Sequence, residues 1–387
     1  MSLAEQLIDA TLRVVGESGA PLHEPCFAGN EKRYLDECID STFVSSVGPH
    51  VERFERELAR YVGVRHAVAV ANGTAALQVA LHIAGIKSGD EVFVPTATFV
   101  ATANAVTYLG AIPHFVDCGA ANLGLDPDAF RAWLAYIAEY DSAGYRNRLT
   151  GRRLAAVVPT HVFGHPCDME RIVAIAHDFK LVLIEDAAES LGSFYKGYHT
   201  GTFGMAAALS FNGNKIITTG GGGALITNDF AIAKRAKHIT TTAKKPHPWA
   251  YEHDEVGYNF RMPNLNAALG LAQIEQISGF LDSKRKLLQR YKDAIAGLGL
   301  GTMLEEPEGS ASNYWLQTLL LDPSAASLRE VLLESAHKKK IGMRPLWRLL
   351  HSLPIYSNSP RAPLEMAVAL EPRVINLPSS PQLIPSE

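Results

Sequence analysis

The sequence predicts an α/β protein with a mostly parallel sheet covered by helices on both faces and a smaller C-terminal domain of α+β type. Three observations carry this. The chain has 387 residues, beyond the roughly 250–300 at which single cores stop growing. From about His66 to Thr227, short apolar β-rich runs alternate with helical stretches, the pattern of a buried parallel sheet. Past about residue 260 that alternation gives way to longer helices. The expected division is 1–260 for an N-terminal arm and large domain, and 261–387 for the small domain.

In chain order, Leu3, Leu7, Leu12 and Val15 fall on one helical stripe, and a loop spans Pro21 to Asn30. A helix is expected near Glu31 to Ser41. Gly48 and Pro49 break the chain before another at Val51 to Val62, with Phe54, Leu58 and Tyr61 on one face. His66 to Val70 reads as a strand, Ala75 to Ala84 as a helix, Glu91 to Val94 as a strand stopped by Pro95, Phe99 to Leu109 as a helix and Ile112 to Val116 as a strand. Asp141 to Arg153 is polar and basic, as in a surface insertion. Leu154 to Pro159, Leu181 to Ile184, Ala206 to Phe211 and Gly223 to Thr227 continue the sheet pattern. Asn266 to Ile277 and Phe280 to Leu298 read as helices, Asn313 to Leu321 as a strand and Leu328 to Lys338 as a helix.

Composition narrows the class. Charged residues are 20% of the chain and the net charge is −4, without the basic excess of a nucleic-acid binder. The four cysteines, Cys26, Cys38, Cys118 and Cys167, form no CxxC pair, which suits reduced thiols. The N-terminus mixes acidic with apolar residues and lacks a signal-peptide layout. No apolar run reaches the roughly 18 residues of a membrane span. The expected setting is cytoplasmic.

Four segments carry candidate chemistry. Asn72-Gly73-Thr74-Ala75 follows an apolar run and opens a helix. Gly73 permits close backbone approach, and Thr74 at the positive helix end suits a phosphate, although a plain N-cap turn has the same composition. Ile184-Glu185-Asp186-Ala187-Ala188-Glu189-Ser190 ends an apolar strand. A carboxylate there keeps a pyridinium nitrogen protonated, and the alanines leave room for a flat ring; an acidic cap on the next helix reads equally well. Ser210-Phe211-Asn212-Gly213-Asn214-Lys215 places a lysine in a Gly/Asn-rich turn after a strand, where its amine suits Schiff-base chemistry and Ser210 a phosphate, although on this segment alone a surface lysine in a flexible loop is the better reading. The following Gly220 to Gly223 run is not a P-loop, because no Gly-Lys-Ser/Thr follows. In Gly257-Tyr258-Asn259-Phe260-Arg261-Met262-Pro263-Asn264, Arg261 suits a carboxylate or phosphate.

Together the blocks FERELARYVG, NGTAALQVAL, GDEVFVPTATFVATANAV, HVFGHPCDM, IEDAAESLGS, LSFNGNKIITTGGGG and GYNFRMPNLNAALG, in this order, resemble the sugar aminotransferases of the DegT/DnrJ/EryC1/StrS family. The likeness runs from about Pro21 to Ser380. It implies a pyridoxal-phosphate-dependent transferase of fold type I, with a mixed, mostly parallel sheet of the seven-stranded type. By position, Lys215 is the lysine that bonds pyridoxal 5′-phosphate and then shuttles a proton, and Asp186 binds the pyridine nitrogen. Phe99 and Ala188 sandwich the ring. Gly73, Thr74 and Ser210 hold the phosphate, and Asn259 completes that site from the neighbouring subunit of a homodimer. Glu189 stands near the ring hydroxyl where many relatives have glutamine, so either it or the ring oxygen must keep a proton.

The blocks LHEPCFAGNE, STFVSSVG and HDEVGYNFRMPNLNAALG further resemble the branch making 4-amino-4,6-dideoxy sugars for legionaminic acid or bacillosamine. That implies a nucleotide-linked keto-sugar acceptor, UDP-2-acetamido-2,6-dideoxy-hexos-4-ulose, an L-glutamate donor, and a place in surface-polysaccharide biosynthesis. Arg261 is the candidate for the donor carboxylate, and His161 and Tyr314 for the pocket. The Thr42 to Gly48 loop and Arg344 are candidates for the sugar nucleotide. Two rivals share the fold: a sugar dehydratase, in which histidine replaces the lysine, and a cofactor-free binding relative. Lys215, Asp186 and Ser210 together weigh against both. A metalloenzyme using His161, His165, Cys167 and His177 lacks a standard zinc spacing, so no metal is expected.

Overall fold

The computed structural model describes residues 2–142 and 144–384. Residues 1, 143 and 385–387 belong to the expected N-terminal arm, insertion and small domain and lie outside the described residues.

The core is a seven-stranded sheet in the order His66–Val70, Gly223–Thr227, Ala206–Ser210, Val182–Asp186, Leu154–Val157, Glu91–Pro95, Ile112–Val116. Gly223–Thr227 runs antiparallel to both its neighbours, and every other pairing is parallel. The sheet is buried on both faces. Val68, Val70, Val92, Val94, Ile184 and Ala208 pack beneath the helix Gly73–Ile83 and its neighbours. Ala67, Ala69, Ala207 and Leu209 face Phe54 and Leu58 of the helix Pro49–Val62. Burial on both sides explains why these strands read as continuous apolar runs.

Local chemistry sets the helix ends. Pro49 occupies the first turn of Pro49–Val62, and Gly63 ends it with a φ of 82°. Asn72 Oδ1 accepts the Ala75 amide at 2.8 Å and starts Gly73–Ile83. The helix expected from Phe99 is Ala101–Thr107, and those expected at 266–277 and 280–298 are Asn264–Ile274 and Ile277–Ile295. The strand expected from Asn313 starts only at Gln317, because Asn313, Tyr314 and Trp315 make a turn that borders the site. The expected insertion is an antiparallel hairpin, Ala138–Asp141 with Gly144–Asn147. Its root is tied down: Asn147 and Thr150 donate to buried Glu91, and Arg153 pairs with Asp90.

A second, antiparallel sheet has the order Gly301–Met303, Gln317–Leu321, Val374–Leu377, Arg344–Pro345. Packing cuts across the expected division at 260/261. The helix Leu3–Val15 buries Ala4, Leu7 and Ala10 against Leu287, Leu288 and Tyr291, on the side of this second sheet. The helix Asn264–Ile274 buries Ala267 against the large-domain face and Leu271 against Tyr34. Within the helix Ile277–Ile295, Ile277 and Phe280 pack with the large-sheet face, while Leu287, Leu288 and Tyr291 pack with the N-terminal helix beside the second sheet.

Candidate active site

Open α/β sheets bind ligands beyond the carboxyl ends of their parallel strands. A cavity of about 540 Å³ lies there, between the two units. Asp186, Glu189, Ser210 and Lys215 line it from the ends of two adjacent strands.

Asp186 is the last residue of its strand and is buried. Thr102 Oγ1 donates to Oδ2 at 2.7 Å, and the Ala188 amide donates to Oδ1 at 3.1 Å. Burial pushes its pKa above the usual carboxylate range. Three residues on, Glu189 is also buried, and burial likewise raises its pKa while the Lys215 ammonium opposes the rise. The Phe163 amide donates to Glu189 Oε2 at 2.9 Å, and Lys215 Nζ donates to Oε1 at 3.1 Å.

Lys215 follows the strand Ala206–Ser210 through a turn in which its amide donates to the Asn212 carbonyl at 3.0 Å. Its Nζ lies 3.8 Å from the centroid of the Trp315 ring, a cation–π contact. That indole is held by its own Nε1–H, which donates to the Asn214 carbonyl at 2.6 Å. The backbone before it is strained: Tyr314 has a φ of 46°, costly for a bulky side chain. Asn313 offsets this by accepting the Trp315 amide at 2.8 Å and donating to the Glu189 and Leu191 carbonyls.

At the other end, Gly73, Thr74 and Ser210 face the cavity around the start of the helix Gly73–Ile83. The opening amides of a helix have no carbonyl one turn earlier and carry its positive end, so they suit a phosphate. A Cβ on Gly73 would sit 2.9 Å from Ser210 Cβ, and one on Gly223 would sit 2.4 Å from the Asn72 carbonyl carbon. Only glycines keep this cradle open. Phe99, 51% exposed, and Ala188 both line the cavity. A flat cationic heterocycle bearing a phosphate fits these residues: a buried carboxylate with no ion pair among the described residues, an uncovered aromatic face, a helix start and a lysine.

Three residues expected to contact substrate do not line the cavity of this chain. Arg261 does not line the cavity; its Nη1 donates to buried Glu55 at 3.0 Å and to the Ala69 carbonyl at 3.2 Å. His161 is fully buried behind the site. The Cys167 amide donates to its Nδ1 at 3.1 Å, and its Nε2 lies 3.1 Å from Glu185 Oε2. Glu185 also accepts three amides, from Gly201, Phe203 and Gly204. Tyr314 is buried, with its hydroxyl oxygen accepting the Glu306 amide at 3.2 Å. Of the other candidates, Asn259 is exposed and outside this cavity, as are the exposed Phe43, Val44 and Val47 of the Thr42 to Gly48 loop. Arg344 does line it.

Sequence reasoning missed Thr102, Trp315, Trp347 and Arg348, all cavity-lining. Trp315 is adjacent to the Tyr314 that was chosen, and Arg348 lies four residues past Arg344. Neither position has a periodic signal, because both sit in irregular backbone. Arg344 and Arg348 are exposed, and neither has an ion-pair partner among the described residues. The Trp347 ring lies 4.8 Å from Phe163 and 6.2 Å from Phe99.

The model of the DegT/DnrJ/EryC1/StrS aminotransferase family matches residues 25–387. The GDP-perosamine synthase of Escherichia coli O157:H7 is 40% identical, over 94% of each chain. The UDP-N-acetyl-3-dehydro-alpha-D-glucosamine 3-aminotransferase of Acidithiobacillus ferrooxidans is 31% identical, over 94% of this chain and 91% of its own. The crystal structure of a DegT DnrJ EryC1 StrS aminotransferase from Brucella abortus superposes with a TM-score of 0.83 at 28% identity, covering 92% of this chain and 91% of that one.

Proposed function

The chain belongs to the DegT/DnrJ/EryC1/StrS aminotransferase family, a pyridoxal-phosphate-dependent family of sugar aminotransferases, and we propose that it transfers the amino group of L-glutamate to C4 of a nucleotide-linked 4-keto-6-deoxy sugar. The carrying observation is the convergence of Lys215, Asp186, Ser210 and the Gly73–Thr74 helix start on one cavity.

Bound pyridoxal phosphate supplies an electron sink for the carbon that loses its proton. Lys215 Nζ is the group that holds the cofactor covalently, and when released it takes and returns a proton. Asp186 keeps the ring nitrogen protonated, since a buried carboxylate is stabilised by a proton-bearing cation beside it. Thr102 and the Ala188 amide orient that carboxylate. Phe99 and Ala188 flank the ring. The amides of Gly73 and Thr74 and the Ser210 hydroxyl hold the phosphate, joined by Asn259 of a second copy in a homodimer. Arg344 and Arg348, which have no ion-pair partner among the described residues, offer guanidinium groups to the anionic substrates, in place of Arg261. No helix among the described residues is long and apolar enough to cross a membrane, which suits an enzyme of the cytoplasm.

UDP-2-acetamido-2,6-dideoxy-hexos-4-ulose is the acceptor favoured by the sequence blocks. The GDP in the name of the 40% identical relative favours a guanosine carrier as the second reading. The test is the absorbance of the loaded protein before and after L-glutamate, for the wild type and Lys215→Ala, followed by UDP- and GDP-linked 4-keto sugars. Loss of the visible band with glutamate, and its absence in Lys215→Ala, are expected. A band that ignores glutamate refutes the proposal.

A further inference from the structure

Two carboxylates reach the cavity beside one lysine, and they are held differently. Asp186 takes hydrogen bonds from Thr102 and the Ala188 amide and none from the lysine. Glu189 has one oxygen fixed by the Phe163 amide and the other 3.1 Å from Lys215 Nζ. The side chains of Lys215 and Glu189 are 13% and 4% exposed. A lysine must lose a proton before it can attack an aldehyde, and Glu189 Oε1 is the protein acceptor in contact with its Nζ.

We infer that Glu189 is the base that frees the amine of Lys215 for cofactor capture. The Nζ–H bond breaks, an Oε1–H bond forms, and the electron pair stays on Nζ, so +1 and −1 become two neutral groups. The amine then bonds to the aldehyde carbon and passes a second Nζ proton to the aldehyde oxygen. Glu189 returns the first proton to that same oxygen, the carbon–oxygen bond breaks and water leaves. The nitrogen ends doubly bonded to that carbon with its remaining proton, while the carboxylate ends unchanged. Three features support the transfer. A buried neutral pair is less costly to desolvate than a buried ion pair. Burial and the Asp186 charge raise the proton affinity of Glu189, opposed by Lys215 and the Phe163 amide. The Trp315 ring lies 3.8 Å from Nζ and fixes it beside Glu189. This reading rests on Lys215 as the capture residue, and it gives the carboxylate a task that an amide at this position would leave undone.

The experiment follows capture itself, apart from turnover. Cofactor-stripped full-length protein is mixed with pyridoxal phosphate, and the rate of growth of the lysine-bound absorbance is recorded from about pH 6.5 to about pH 9. Wild type is expected to vary less than about threefold. Glu189→Gln, close in shape but unable to accept a proton, is expected to be at least about tenfold slower near neutral pH. Its rate should gain about tenfold per pH unit, because the proton then leaves only to solvent. Glu189→Asp is expected to recover the flat profile at a lower rate. A Glu189→Gln profile matching wild type overturns the inference. If that variant does not fold, a steep Glu189→Asp profile overturns it instead. Capture by Lys215→Ala would instead refute the reading beneath it, a separately visible failure.

Discussion

Arg261 and Glu55 form an ion pair at 3.0 Å with side chains only 10% and 6% exposed. Glu55 also accepts the Ala69 amide and bridges Lys237, so the arginine ties the segment before Asn264–Ile274 to the first strand of the sheet. Arg261→Met is therefore expected to lower stability by roughly 2 kcal/mol, as for a lost bond to a buried charge, and to leave the KM for glutamate unchanged. Urea unfolding alongside donor kinetics checks this. A raised KM at unaltered stability would restore the donor-binding role.

Gly73 can gain no side chain without meeting Ser210. Gly73→Ala is expected to weaken pyridoxal phosphate at least about tenfold, by displacing the phosphate cradle, and to lower the melting temperature of the cofactor-free protein through the contact with Ser210. Spectrophotometric titration decides it, and an unchanged affinity would move the phosphate elsewhere.

Acid should destabilise the fold through its interior histidines. Burial lowers the pKa of His165 to about 4, and neither of its ring nitrogens has a partner among the described residues. His199 is lowered to about 4 by the same cause. A depressed histidine gives stability that is present above the unfolded value near 6.5 and lost as pH falls toward the folded value. The loss from His165 is roughly 2 kcal/mol by about pH 5. His165→Phe should flatten the decline in urea midpoint between neutral pH and pH 5. An equally steep decline in the variant would mean that His165 is not the cause.

Arg344 and Arg348 line the cavity, and neither has an ion-pair partner among the described residues. Replacing either with alanine is expected to raise the KM for the nucleotide sugar or for glutamate by about tenfold, as for a lost charge-assisted contact, with kcat reduced less. Steady-state kinetics with each substrate varied assigns each arginine to one anion. No effect on either KM would assign both to solvent.

Asn259 lies outside the cavity of its own chain. If a second copy supplies it, mixing Lys215→Ala and Asn259→Ala subunits should restore activity well above that of either alone, because a hybrid holds one unaltered site. Activity that never exceeds the two parents would place Asn259 outside the catalytic machinery.

Much of this protein was legible in its residues. Alternating short apolar runs gave the sheet, because strands buried on both faces have no polar side to break them. The order of Asp186, Ser210 and Lys215 pointed to the cavity, since each stands at or just after a strand end and the carboxyl ends of neighbouring parallel strands lie together. Gly73 was legible because a close approach excludes a side chain. Tertiary structure alone decided the rest. Arg261 and Tyr314 have the right chemistry for a substrate, but Glu55 and Glu306 come from 206 and 8 residues away to occupy them. Thr102 becomes the partner of Asp186 across 84 residues, and Trp315 covers Lys215 from the second unit across 100 positions. Local sequence carries periodicity and turn chemistry; which polar groups meet depends on the order of the strands and on how the two units close over the sheet edge.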